Sequence, residues 1–224
     1  MTQMDGVAAA RSSALELGVI GNCTVASLID RSGAIVWSCF PDFDGDPVFC
    51  DLLSPKRGGG LWSFELDGCA RTEQFYLQNT PILVTRLFDA AGAGVEITDF
   101  APRFKQHERI YHPMLIVRQV QVLSGVPRLR MRFEPLAGYG ANAFTHALGS
   151  NHVSLTAPHI ALRLTTDLAI THIEHNLPFI VDQPLHFVFG ADESFSANVG
   201  DFTRDALTRT RNYWWEWVRY LSLP

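Results

Sequence analysis

The chain has 224 residues, 47% of them hydrophobic and 18% charged, with a net charge of -5. That supplies enough apolar material for a substantial core in an ordinary soluble globular protein. The 18 Lys and Arg residues are scattered singly, which excludes the basic stripe that nucleic-acid binding requires.

From the amino end, Met1 to Leu17 carries no basic leader, and its longest apolar run, Val7 to Ala10, is too short for a signal sequence. No stretch approaches the roughly 20 apolar residues needed to span a bilayer, so a cytoplasmic protein without membrane contact is expected. Period-2 alternation between turn residues then dominates, which predicts antiparallel strands. Cys23 to Ile29 reads as a strand, Asp30 to Gly33 as a turn and Ala34 to Phe40 as the returning strand. Trp62, Phe64 and Leu66 alternate with Ser63 and Glu65. Thr80 to Phe88 and Val95 to Phe100 flank a turn at Asp89 to Gly94. Leu115 to Leu123 and Arg128 to Glu134 are expected to form a third hairpin, turning at Ser124-Gly125.

The strand Arg128 to Glu134 is the cleanest, with Leu129, Met131 and Phe133 facing one way and Arg128, Arg130, Arg132 and Glu134 the other. Further strands are expected at Val153 to Thr156, Ile160 to Thr165, Ala169 to Ile173 and Leu185 to Gly190. About a dozen strands without intervening helices predict an all-β fold, an antiparallel two-sheet β-sandwich over residues 1–200. From Asp201 the period changes. Leu207, Arg211, Trp214, Val218 and Leu221 recur at helical spacing, so residues 201–224 read as a carboxy-terminal linker helix with Asp201 as its cap. This helix is apolar nearly all round and carries Tyr213, Trp214, Trp215 and Trp217, a predicted domain interface. With only Leu223-Pro224 beyond it, the chain is expected to stop at a domain boundary.

Four cysteines, Cys23, Cys39, Cys50 and Cys69, form no C-x-x-C pair, and no His stands at zinc-ligand spacing from them. Cys23 and Cys39 sit in strand-like apolar runs and are expected to behave as small hydrophobes, with all four thiols reduced. The closest His pair, His172 and His175, falls in the predicted strand Ala169 to Ile173 and just beyond it, which places the two rings on opposite faces. No metal or cofactor is expected.

The segment Trp37 to Pro47 concentrates aromatics and acids at a strand end, with Trp37, Pro41, Asp42, Phe43 and Asp44 as candidate substrate-binding residues. Aromatic faces stack on the C–H surface of sugars, and carboxylates accept hydroxyl hydrogen bonds. The simpler alternative is an Asp-rich loop whose carboxylates cap backbone N–H groups while its aromatics plug the sandwich end. Residues alone favour that alternative. The spacing of Asp42, Asp44 and Asp46 does not discriminate between the two glycosidase geometries, and the EF-hand pattern is incomplete. Tyr139, flanked by Gly138 and Gly140, reads as a turn anchor in preference to a binding contact.

Taken together these segments resemble the amino-terminal, trehalase-like domain of bacterial glycoside hydrolase family 15 proteins, the glucoamylase, glucodextranase and trehalase group. The likeness rests on Ile20-Gly21-Asn22, on the hairpin from Ala26 to Trp37, and on Pro41, Phe43, Asp44 and Phe49. It continues through GVEITDFAPR (Gly94 to Arg103) and Val117 to Gly140, and ends on the YWWEWVRYL helix. It departs at Asn22 and Val36, where the family often has Asp. The resemblance implies a β-sandwich preceding an (α/α)6 catalytic barrel of the same polypeptide, acting on an α-glucoside by inversion. Both catalytic Glu residues would lie in that barrel, so no residue of this chain is assigned a catalytic role. Three roles follow as expectations: a domain that packs on the barrel and lends it a loop, a free-standing carbohydrate-binding module, or a purely structural domain. The apolar helix also allows self-association.

Overall fold

The computed structural model describes residues 15–53, 59–194 and 198–221. Most of the leader reading (residues 1–14) and the chain's last three residues lie outside these. In chain order the strands are β1 (Gly18–Gly21), β2 (Ala26–Ile29), β3 (Ile35–Phe40), β4 (Asp46–Phe49), β5 (Leu61–Leu66), β6 (Cys69–Tyr76), β7 (Leu83–Asp89), β8 (Gly94–Phe100), β9 (Phe104–Gln106) and β10 (Arg109–Tyr111). They continue with β11 (Leu115–Ser124), β12 (Arg128–Glu134), β13 (Leu136–Ala137), β14 (Asn142–Ala143), β15 (Thr145–Leu148), β16 (His152–Ala157), β17 (Ile160–Thr166), β18 (Phe179–Ile180) and β19 (Leu185–Ala191). The helices are α1 (Ile170–Glu174) and α2 (Val199–Arg219).

Two large antiparallel sheets make the all-β sandwich. One runs β1-β2-β3-β5-β12-β18, with β4 also on β3; the other runs β15-β16-β17-β19-β11-β8-β7-β6. Their facing sides close over a cluster of rings from both sheets. Trp62 lies 5.4 Å from Phe133, 5.9 Å from Phe189 and 6.1 Å from Phe49, centroid to centroid. Removing each such side chain from water contributes roughly 1.5–3 kcal/mol. The β12 alternation holds: Leu129 and Met131 are buried and Arg128 is exposed.

Arg118 on β11 is fully buried and joins the layers. Its Nε and Nη2 donate to Asp99 of β8 at 2.8 and 3.2 Å, its Nη1 to the Trp62 carbonyl of the opposite sheet at 2.8 Å, and Nη2 also to the Gly33 carbonyl. Asn22 pins the loops near β1. Its Nδ2 donates to the carbonyls of Pro102 at 3.0 Å and Pro113 at 2.7 Å, while its Oδ1 accepts from the N–H groups of Thr24 and Val25. An amide is the side chain that serves two carbonyls at one end and two N–H groups at the other. Asn22→Asp should therefore destabilise the chain by at least about 2 kcal/mol, since a carboxylate would face two carbonyl oxygens without a donor. Urea unfolding at neutral pH checks this, and equal stability would show that the two donors contribute nothing.

The structure corrects several local expectations. β11 and β12 do not form a hairpin, because they belong to different sheets. Both edges of β11 are taken, by β8 and β19, and Gly125 (φ 64°) turns the chain over to the other layer. The segment Ala169 to Ile173 is largely helical, in α1, and not a strand. Thr166 Oγ1 accepts the Leu168 N–H and Asp167 Oδ1 accepts the His186 N–H, ending β17. His172 thus lies in α1 with His175 as its C-cap, so the opposite-face reading falls. Cys23 is exposed, in a turn at φ 72°, because Asn22 ends the strand there. Cys39 and Cys50 are buried, Cys69 is exposed, and none of the four is disulfide-bonded.

The long helix is capped by Asn198, whose side chain accepts from Gly200 N, and Asp201 sits in the first turn, paired with Arg204. Its buried stripe is Val199, Thr203, Ala206 and Thr210, while Leu207, Arg211, Trp214 and Val218 are half-buried. Small side chains on that stripe let the helix lie close against Ile82, Phe100, Val117 and Val188, on the outer face of the eight-stranded sheet.

Candidate functional site

The β3–β4 connection forms one wall of the principal groove. β3 leaves the sheet at Phe40, whose ring packs edge-on against Phe189 at 5.2 Å. A cis Phe40-Pro41 bond follows, and the Gly45 N–H closes the turn on the Asp42 carbonyl at 3.0 Å. Only glycine fits position 45, because a Cβ there would run into the Phe40 carbonyl. The facing wall is built from the β13–β14 turn and the β16–β17 turn. Between them lies an open groove of about 860 Å³, lined among others by Phe40, Pro41, Asp46, Gly138, Asn142 and His159. That size suits a small-molecule ligand.

Asp46 ties the two walls together. Its Oδ1 accepts the Tyr139 N–H at 2.7 Å and its Oδ2 accepts the Gly138 N–H. Asp42 and Asp44 are exposed, and no hydrogen bond or ion pair engages either carboxylate among the described residues. Capping by loop acids is thus confined to Asp46. Phe43 is 55% exposed at the tip. Of the five candidate residues only Pro41 lines the groove; Trp37 is half-buried on β3, and Asp42, Phe43 and Asp44 stand outside the lining with it. Beneath the loop, burial pushes the Cys39 and Cys50 thiols up, and the Asp46 carboxylate adds to both shifts. Neither is an activated nucleophile.

A second cavity, of about 220 Å³, is lined by Glu134, His146 and Glu174 over Phe133 and Leu155. It is small for a sugar, and Arg132 already holds Glu134 at 3.0 and 3.1 Å. Among the described residues, no group of three or more His, Cys, Asp or Glu side chains converges as a metal centre, and no helix is long and apolar enough to cross a membrane.

The predicted interface residues divide. Tyr213 is half-buried, and its hydroxyl accepts from Arg103 Nε at 3.1 Å. Trp214 is half-buried, edge-on to Trp217 at 5.7 Å. Trp215 donates its Nε1–H to the Gln78 carbonyl at 2.9 Å, yet remains 40% exposed, and Trp217 is 48% exposed. The end of α2 therefore presents indole surface to solvent. Sequence reasoning left Asp46 off the substrate-binding candidates, treating it only among the loop acids that would cap backbone N–H groups, and read Tyr139 as an anchor. The Gly-Tyr-Gly run was the signal for that turn, but its partner lies 92 and 93 residues away.

Comparison with known proteins places these features. A family model described as "Trehalase-like, N-terminal" matches residues 5–172, which takes in both walls of the groove. The chain is 31% identical over 124 residues to a trehalase of Thermoplasma volcanium, covering 55% of this chain and 20% of that protein. It is 30% identical over 113 residues to a trehalase of Thermoplasma acidophilum, covering 50% of this chain and 19% of that one. It is also 30% identical over 124 residues to trehalase 1 of Sulfolobus acidocaldarius, again covering 20% of the relative. The chain thus spans about a fifth of the length of the curated relatives it matches. No solved structure matches it significantly.

Proposed function

The chain belongs to the trehalase-like N-terminal family, and from that membership we propose that it is the non-catalytic amino-terminal domain of an inverting α-glucoside hydrolase of glycoside hydrolase family 15. In this reading residues 1–200 are the sandwich, and residues 201–224 lead to an (α/α)6 catalytic barrel of the same polypeptide. The exposed indoles of α2 pack on that barrel, and left uncovered they favour self-association of the isolated chain. Four unpaired thiols fit a reducing, cytoplasmic setting.

The β3–β4 loop contributes Pro41, Asp42, Phe43 and Asp44 to the rim of the substrate pocket, with Trp37 behind them. One observation carries this: two exposed carboxylates and an exposed ring stand at the tip of the loop whose Phe40, Pro41 and Asp46 line the groove, and among the described residues neither carboxylate is engaged in holding the fold. Stability alone does not call for that arrangement.

The isolated chain is expected to release no glucose from trehalose or maltose, since a general acid and a general base must flank one glycosidic oxygen. In the polypeptide that includes the catalytic domain, Asp44→Ala should lower kcat/KM by about 10- to 100-fold and Phe43→Ala by about 3- to 10-fold, with Tm nearly unchanged. The first corresponds to roughly 1.5–3 kcal/mol for a hydrogen bond to a charged group, the second to roughly 0.5–1.5 kcal/mol for a ring contact. Normal kcat/KM with a lowered Tm would leave the loop as a cap on the sandwich.

A further inference from the structure

The turn opposite the β3–β4 loop is built in an uncommon way. Gly138, Tyr139 and Gly140 all occupy the left-handed region, at φ 62°, 57° and 81°. The two glycines adopt it freely, but a tyrosine there carries backbone strain that Gly or Asn would lower. Strain of this kind persists only where the surroundings hold it in place. Asp46 does the holding: its two carboxylate oxygens take the successive N–H groups of Gly138 and Tyr139, a backbone nest closed around an anion. Close packing supports it, because a Cβ at Gly138 would meet Asn142 Nδ2 at 2.6 Å and one at Gly140 would meet Cys50 Sγ at 3.0 Å.

A tyrosine that anchored the turn would bury its ring. Tyr139 instead leaves 72% of its surface exposed, so the strain is not offset by burial of the side chain. The backbone is anchored and the ring is presented, beside the groove that Gly138 and Asp46 line. An aromatic face suits the C–H side of a pyranose, and the phenol both donates and accepts.

We propose that Tyr139 is a further sugar-contacting residue, on the turn that Asp46 ties to the loop of Phe43 and Asp44, and that Asp46 is a positioning residue acting through it. This rests on the reading that the groove receives the parent enzyme's glucoside.

The test uses the polypeptide joined to its catalytic domain, assayed with trehalose and maltose. Tyr139→Gly should lower kcat/KM about 5- to 10-fold, mainly through KM, while Tm stays level or rises because the strain is relieved. Tyr139→Phe should retain most of the activity. Asp46→Ala should lower kcat/KM in the wild-type background and add nothing in the Tyr139→Gly background, as a residue acting through another must. If Asp46→Ala does not fold, Asp46→Asn, which keeps one acceptor, takes its place in the cycle. A Tyr139→Gly variant with lowered Tm and normal kinetics would overturn the contact role, and additivity of the two changes would overturn the positioning role. If Phe43→Ala and Asp44→Ala lower kcat/KM but Tyr139→Gly does not, this inference alone fails; if all three are silent, the groove reading fails with it.

Discussion

Arg118→Met is expected to destabilise the chain by about 3–5 kcal/mol, the usual cost of removing one partner from a buried ion pair. Arg118 and Asp99 are both fully inaccessible, and the guanidinium also serves the carbonyls of Trp62 and Gly33. Methionine fills much of the space but leaves one carboxylate and two carbonyl oxygens dry. The double change Asp99→Leu with Arg118→Met should recover part of the loss, because no buried charge then remains. Burial already pushes the Asp99 carboxyl up, and the Arg118 guanidinium opposes that shift. Without Arg118 the folded carboxyl rises further above its unfolded value, so the folded variant keeps a proton that the unfolded chain has released. Stability of the variant then falls as pH rises through the unfolded carboxylate range, and its deficit is smaller in acid. Urea titrations at two pH values read both effects. A deficit below about 1 kcal/mol would mean that Arg118, through Asp99 and the Trp62 and Gly33 carbonyls, is not holding the sheets together.

Trp62→Ala should cost about 3–5 kcal/mol, the range for deleting a large buried aromatic and leaving a cavity. Its ring contacts Phe49, Phe64 and Phe133 and reaches Phe187 and Phe189 across the sandwich, so neighbours held in two sheets cannot collapse into the space. Trp62→Phe separates volume from polarity. Among the described residues the buried Trp62 indole N–H has no hydrogen-bond partner, and phenylalanine removes that donor along with some volume. The second variant should therefore lose less than about 1.5 kcal/mol. A Phe variant as unstable as the Ala variant would mean that the indole's shape cannot be replaced.

Strand existence was legible because period 2 is a local property. Arg128 to Glu134 needed only its own alternation, and the Asp89 to Gly94 turn needed only its own residues. The candidate loop was visible for the same reason, as a composition at a strand end. Its meaning was less legible: among Asp42, Asp44 and Asp46, only the fold separates the acid that holds the groove together from the two that stand exposed. The short helix α1 was missed because backbone N–H groups that donate to the Thr166 and Asp167 side chains decide where β17 ends.

The amino-acid sequence by itself determined the all-β class, most hairpin turns, the aromatic helix and the family. The first three are written in residues close along the chain, where steric preference and periodicity act, while the family rests on the resemblance of motifs spread from Ile20 to the aromatic helix. Only the tertiary structure decided that β11 and β12 belong to different sheets and that Arg118 reaches a carbonyl 85 residues away. The same holds for the small stripe of α2 that faces the sheet, and for Asp46 holding the Tyr139 turn. Those contacts depend on which strand edges and faces remain open once the layers close, a long-range condition that local pattern does not contain.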